Sequence, residues 1–126
     1  MQIDHIAIWT NDLERLKDFY SRFFGCKISA RYENIHKPFS SYFLFFDDGA
    51  RIEIMKRFDI NEPIDRERIG LAHFAIKIGT IDQVDKLTKY LEKEGYIIDS
   101  YPRTTGDGYY ESVILDPDNN KIELIA

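Results

Sequence analysis

The sequence predicts an α+β fold built from two tandem βαβββ modules, and three observations predict it. A short motif occurs twice, as His5-Ile6-Ala7-Ile8 and as His73-Phe74-Ala75-Ile76. Each copy leads into apolar residues at helical spacing and then into strand-like runs, the last of which sets a glutamate between aliphatic neighbours. These are Glu53, between Ile52 and Ile54, and Glu123, between Ile122 and Leu124. The histidines stand 68 positions apart (5 to 73) and the glutamates 70 (53 to 123), so the two copies keep nearly one internal spacing. A module of roughly 60 residues is marginal alone. Module one (1–56), a linker (57–70) and module two (71–126) are therefore expected to make a single domain, with curved mixed sheets around a pocket and helices outside.

The first strand is expected from Ile3 to Trp9, rich in β-branched and aromatic residues and closed by Thr10, Asn11 and Asp12. A helix follows: Asn11 with Glu14 three residues on reads as a capping box, and Leu13, Leu16, Tyr20, Phe23 and Phe24 recur at helical spacing. Gly25 ends it. Strands are expected over Lys27–Glu33, Ser41–Phe46 and Arg51–Met55, the last two joined by Asp47-Asp48-Gly49. The polar stretch from Arg57 to Gly70 has linker composition. Module two repeats the order: a strand over Leu71–Ile78, then a helix opened by Thr80 with Gln83 three later, striped by Val84, Leu87 and Leu91 and closed by Gly95. Strands over Tyr96–Ser100, Tyr109–Leu115 and Lys121–Ile125 complete it, with turns at Thr104–Gly108 and Asp116–Asn120.

Composition narrows the function. With 126 residues and 44% hydrophobic content the chain can bury a core, and its net charge of −5 argues against a nucleic-acid groove, which needs clustered Lys and Arg. A small-molecule partner is the better fit. The single cysteine, Cys26, excludes an intrachain disulfide and paired-cysteine zinc motifs. No run approaches the roughly 18 apolar residues of a membrane span, and no signal peptide is evident, which fits a cytoplasmic protein.

Residues two apart on a strand share a face. His5, Ala7 and Trp9 therefore look one way and Ile6 and Ile8 the other; His73, Ala75 and Lys77 oppose Phe74 and Ile76. Glu53 and Glu123 likewise stand opposite aliphatic neighbours. A lone strand histidine is more often a solvated bystander than a ligand. Four matching positions in a duplicated frame point instead to a metal site of His5, Glu53, His73 and Glu123. Imidazole and carboxylate without thiolate suit one divalent ion per site, nickel, zinc, cobalt, manganese or iron, and leave open positions for substrate.

The duplicated βαβββ order with these four residues resembles the vicinal oxygen chelate superfamily over essentially the whole chain. With both glutamates present it is most similar to the glyoxalase I branch, the lactoylglutathione lyases. The closing Leu115-Asp116-Pro117-Asp118-Asn119-Asn120-Lys121-Ile122-Glu123 stretch resembles that superfamily's C-terminal motif. The resemblance implies a metal-dependent lyase or isomerase that stabilises an enediolate of a small vicinal-oxygen substrate, with Glu123 as base and Glu53 as its partner in reprotonation. It also implies a homodimer, with the site either within one chain or shared between two. Two positions depart from the glutathione-using members: Trp9 stands where that branch has an arginine, and Arg57 where it has an asparagine. The departures speak against glutathione hemithioacetal as substrate. Trp9 is suited to stacking on a flat substrate, and Arg57 or Arg103 to binding an anion. Tyr110 is a further candidate for substrate binding, with Tyr42 and Tyr109 as pocket or core residues.

Other functions share the predicted fold. A fosfomycin-resistance-like thiol transferase or hydrolase, an epimerase and a ring-cleaving dioxygenase are enzyme alternatives, of which the fosfomycin and dioxygenase kinds resemble a three-ligand set without the first glutamate. A metal-free binding protein of the bleomycin type would lack the ligands altogether. His36 reads as a solvated loop residue and Cys26 as packing.

Overall fold

A computed structural model describes all 126 residues. The chain divides into two compact units, Met1–Glu62 and Pro63–Ala126. Each carries one helix on one mixed sheet, an α+β architecture.

In the first unit the elements are β1 (His5–Trp9), α1 (Leu13–Phe24), β2 (Lys27–Ile28), β3 (Tyr32–Asn34), β4 (Phe39–Phe45) and β5 (Arg51–Arg57). The sheet runs β1-β5-β4-β2, with β3 also on β4. The unit's first strand lies parallel to its last, Ala7 opposite Glu53, while β4 and β5 form an antiparallel pair with Phe43 opposite Glu53. One sheet face presents Ile8, Leu44, Ile52 and Ile54, all buried, to Leu13, Leu16, Phe19, Tyr20 and Phe23 of α1. Each such aliphatic side chain contributes about 1.5–3 kcal/mol by leaving water. This packing fixes the register, because a one-residue slip would turn the aliphatic set outward.

Two expectations shift here. The cap of α1 is Asp12, whose carboxylate accepts from Arg15 N–H at 3.0 Å, rather than Asn11. Gly25 closes the helix in the left-handed conformation (φ 65°), as its position suggests. The single strand expected over Lys27–Glu33 is two short ones. At the break, Phe43 N–H donates to the Ser29 hydroxyl at 3.0 Å, so a side chain replaces the backbone partner and the ladder lapses.

In the second unit the order is β6 (Phe74–Lys77), α2 (Ile81–Lys93), β7 (Ile98–Thr104), β8 (Tyr110–Leu115) and β9 (Lys121–Ile125), with the sheet running β6-β9-β8-β7. Again first and last strands are parallel, with Ala75 opposite Glu123. Thr80 and Gln83 form the expected capping box, whereas the C-cap is Glu94, one residue before Gly95. The helix-facing core contains a polar pair among its aliphatics: the Thr88 and Ser112 hydroxyls lie 2.7 Å apart, both buried, and Thr88 also donates to Val84 C=O. The Asp116–Asn120 turn is organised by one buried carboxylate. Asp116 accepts from the N–H groups of Asp118 and Asn120 and from the Asn120 side chain, each at 2.9 Å. Asn119 takes the left-handed conformation (φ 66°) that this turn needs. No helix is long and apolar enough to cross a membrane.

Candidate metal centre

Both units place a histidine beside a glutamate by the same construction. In the first, β1 and β5 lie parallel and adjacent, so His5 and Glu53 share the face opposite the helix; His5 Nε2 and Glu53 Oε2 are 3.8 Å apart. In the second, His73 stands one residue before β6 and its Nε2 lies 3.3 Å from Glu123 Oε1. The glutamates are the more covered partners, with side chains 16% and 20% exposed against 38% for His5 and 46% for His73. Both imidazole side chains thus remain partly exposed.

The donors fit a divalent ion. Two ligand atoms at about 2.1 Å from one metal, 90–110° apart, are separated by about 3.0–3.4 Å. The His73–Glu123 pair already has that spacing, and the His5–Glu53 pair needs to close by a few tenths of an ångström. Neither pair is joined by a third His, Cys, Asp or Glu in a ligand-like group. Each pair alone therefore offers two protein donors.

Around the first pair the face is aromatic. The His5 ring meets Phe43 edge-on (centroids 5.4 Å), and Trp9 meets Phe39 in the same manner (6.3 Å). The Arg57 guanidinium lies over Trp9, 5.2 Å from the ring centroid, and also bonds Asp59. Two of the residues expected to bind substrate are thus brought into contact. Cation and indole hold each other, and Asp59, its carboxyl kept below the usual range by Arg57, balances the charge.

Arg103 stands on β7 opposite Glu111, with 3.3 Å between guanidinium and carboxylate, and a second bond reaches Ser100. By register, Glu111 shares the sheet face of Glu123. Arg103 is therefore a paired cation on the ligand-bearing face. Tyr110 is not brought to that face: it shares a face with Ser112, and its hydroxyl donates to Asp85 of α2 at 2.7 Å. Tyr42 does the same in the first unit, donating to Glu14 of α1 at 2.8 Å. Both phenols are held above their ordinary pKa by these carboxylates. Both tyrosines tie sheet to helix, a placement that follows from the β4–β5 and β8–β9 registers.

Two features lay outside the sequence expectations. Asp4, just before β1, accepts from His5 Nδ1 at 2.7 Å and from the Arg51 guanidinium. Those two bonds hold its carboxyl below the usual range. The dipeptide Asp4-His5 was the available signal. The other is a cavity of about 410 Å³ in the second unit, between residues 64–68 and the β8–β9 turn, with His73, Leu71 and Lys121 in its wall. Asn119 Nδ2 donates to Ile64 C=O at 3.1 Å and Lys121 bonds Glu67, so two ties hold the polar stretch against the hairpin.

Known proteins share this fold. Residues 2–124 match the family model described as Glyoxalase/Bleomycin resistance protein/Dioxygenase superfamily. An uncharacterized protein of Bacillus subtilis, YqjT, is 31% identical, over 97% of this chain and 96% of its own. A lactoylglutathione lyase of Escherichia coli O157:H7 is 25% identical, over 99% of this chain and 92% of its own. Among solved structures, a glyoxalase I variant from Zea mays superposes with a TM-score of 0.81 at 25% identity, over 98% of this chain but only 44% of the maize chain. The fold, the extent of the family match and the Bacillus relative together establish that the chain belongs to the Glyoxalase/Bleomycin resistance protein/Dioxygenase superfamily.

Proposed function

We propose that the protein is a metal-dependent lyase or isomerase of glyoxalase I type, with His5, Glu53, His73 and Glu123 as ligands of one divalent ion in a homodimeric assembly. The observation that carries the reading is the repeated pair: each unit sets one imidazole Nε2 against one glutamate carboxylate near ligand spacing. Similarity to lactoylglutathione lyases supports the same reaction class.

A bound divalent ion supplies Lewis-acid stabilisation of negative charge developing on substrate oxygen. The chain's own carboxylates do the proton work. Glu123 takes a proton from a carbon next to a carbonyl, and Glu53 partners it when the proton returns to the adjacent carbon. Their partial burial limits competing water. Trp9 supplies a flat apolar surface, while Arg57 and Arg103, both already paired with carboxylates, favour a substrate without strong anionic demand. The 410 Å³ cavity beside His73 lies within the usual range for a small-molecule site.

The test is a panel of 2-oxoaldehyde hemithioacetals made with glutathione and with smaller, uncharged thiols, assayed after reconstitution with nickel or zinc. Isomerisation to the 2-hydroxyacyl thioester, abolished in Glu123→Gln, supports the proposal. A fully metal-loaded protein that turns over no member of the panel contradicts the reaction class.

A further inference from the structure

The two histidines are not equivalent. His73 follows Ala72 and has its Nε2 beside Glu123, with no carboxylate at its Nδ1. His5 is held at three points. Asp4 takes its Nδ1 at 2.7 Å, Phe43 packs edge-on against its ring at 5.4 Å, and its Nε2 is left on the Glu53 side.

Asp4 is braced in turn. Arg51 is the register partner of His5 across the β1–β5 pair, its backbone N–H donates to Asp4 C=O at 3.0 Å, and its guanidinium bonds the Asp4 carboxylate. The same guanidinium lies over Phe43 and Phe45, 4.6 and 5.7 Å from the ring centroids. Arg51, Asp4, His5 and Phe43 thus close a ring of contacts around one imidazole. An ionised carboxylate only accepts hydrogen bonds. The hydrogen therefore sits on Nδ1, and the lone pair on Nε2.

We infer that Asp4, braced by Arg51, is a positioning residue that fixes the tautomer and ring orientation of His5 and so presets its Nε2 as a metal donor, while His73 is left to be oriented by the ion itself. Outer carboxylates that hold a ligating imidazole typically change metal affinity by about 10–100-fold when removed. The inference rests on the proposed ligand role of His5 for its affinity readout, but not for its tautomer readout.

Long-range proton–nitrogen correlation spectra of the metal-free protein, recorded where the rings are neutral, read the tautomer directly. Wild type should show His5 as the Nδ1–H form, whereas His73, whose only neighbouring carboxylate is Glu123 beside Nε2, should not be held in that form. Asp4→Ala, which keeps the backbone bond to Arg51, should turn His5 into a mixture, and Arg51→Met should do so in part. Zinc affinity measured by chelator competition should fall about 10–100-fold in Asp4→Ala and recover largely in Asp4→Asn, whose side-chain oxygen can still accept from Nδ1. An Nε2–H form of His5 in wild type, a tautomer indifferent to Asp4→Ala, or a changed tautomer with unchanged zinc affinity would each overturn the inference. If wild type bound no zinc, the ligand proposal would fail while the spectra still decided the Asp4–His5 relationship.

Discussion

Nε2 of His73 lies 3.3 Å from a carboxylate oxygen of Glu123 because β6 and β9, the first and last strands of their unit, run side by side in parallel. The first unit repeats the relationship with His5 and Glu53 at 3.8 Å. In both, the aliphatic residues alternating with the pair are buried against a helix, so packing of one face determines where the polar face points. Chemistry and core are set by one register.

The Cys26 thiol is buried and its pKa is pushed up to about 11 by desolvation, opposed only by a weaker backbone hydrogen bond. Below that pH the thiolate is scarce. Iodoacetamide at mildly alkaline pH should therefore leave the native protein unlabelled and modify it once urea unfolds it, as mass spectrometry would show; rapid labelling of native protein would contradict the placement.

The buried Thr88–Ser112 hydroxyl pair should behave as a unit. Thr88→Val alone leaves Ser112 without that partner and should cost about 1–3 kcal/mol in urea denaturation. Adding Ser112→Ala should restore part of the loss, because both polar groups are then gone. A double variant that shows the simple sum of two losses would argue against coupling.

Asp116 holds the turn that leads into β9 through three hydrogen bonds. Asp116→Ala should destabilise the protein by about 1.5–3 kcal/mol, the range for bonds to a charged acceptor. Asp116→Asn keeps one acceptor oxygen and should fall between. A loss under about 0.5 kcal/mol, the scatter of ordinary surface changes, would mean the turn is set by other residues.

Tyr42, Tyr110 and Tyr101 donate to Glu14, Asp85 and Glu92, and the hydrogen bond is the leading cause that raises each phenol above 10.0. A phenol raised on folding contributes stability that is complete below its unfolded value and is lost as pH climbs through the folded one. Alkaline absorbance titration should show these tyrosines ionising late. Tyr42→Phe and Tyr110→Phe should each remove one late step and flatten the alkaline loss of stability.

Much of this was legible in the sequence. Alternation around His5, Glu53, His73 and Glu123 predicts their faces, since a strand's period of two leaves no other choice once Ile52, Ile54, Ile122 and Leu124 are buried. The Thr80–Gln83 cap was equally readable. Asn11 and Asp12 are both good caps, and the choice of Asp12 follows from the entry of the chain, where Asp12 N–H donates to the Thr10 hydroxyl. The break at Ser29 depends on a side chain reaching a strand distant in sequence, and the Asp4–Arg51 brace on a cross-strand register. Neither contact has a local pattern. Tyr110, a candidate for substrate binding by sequence, faces α2, because two adjacent tyrosines offer no phase until the β8–β9 register supplies one.

The most direct test of the central proposal is metal content by elemental analysis after reconstitution and desalting, comparing wild type with Glu53→Gln and Glu123→Gln at matched fold content. The ligand proposal predicts about one nickel or zinc ion per site in wild type and sharply reduced retention in both variants. Wild type that retains no metal, or variants that retain as much as wild type, would contradict it.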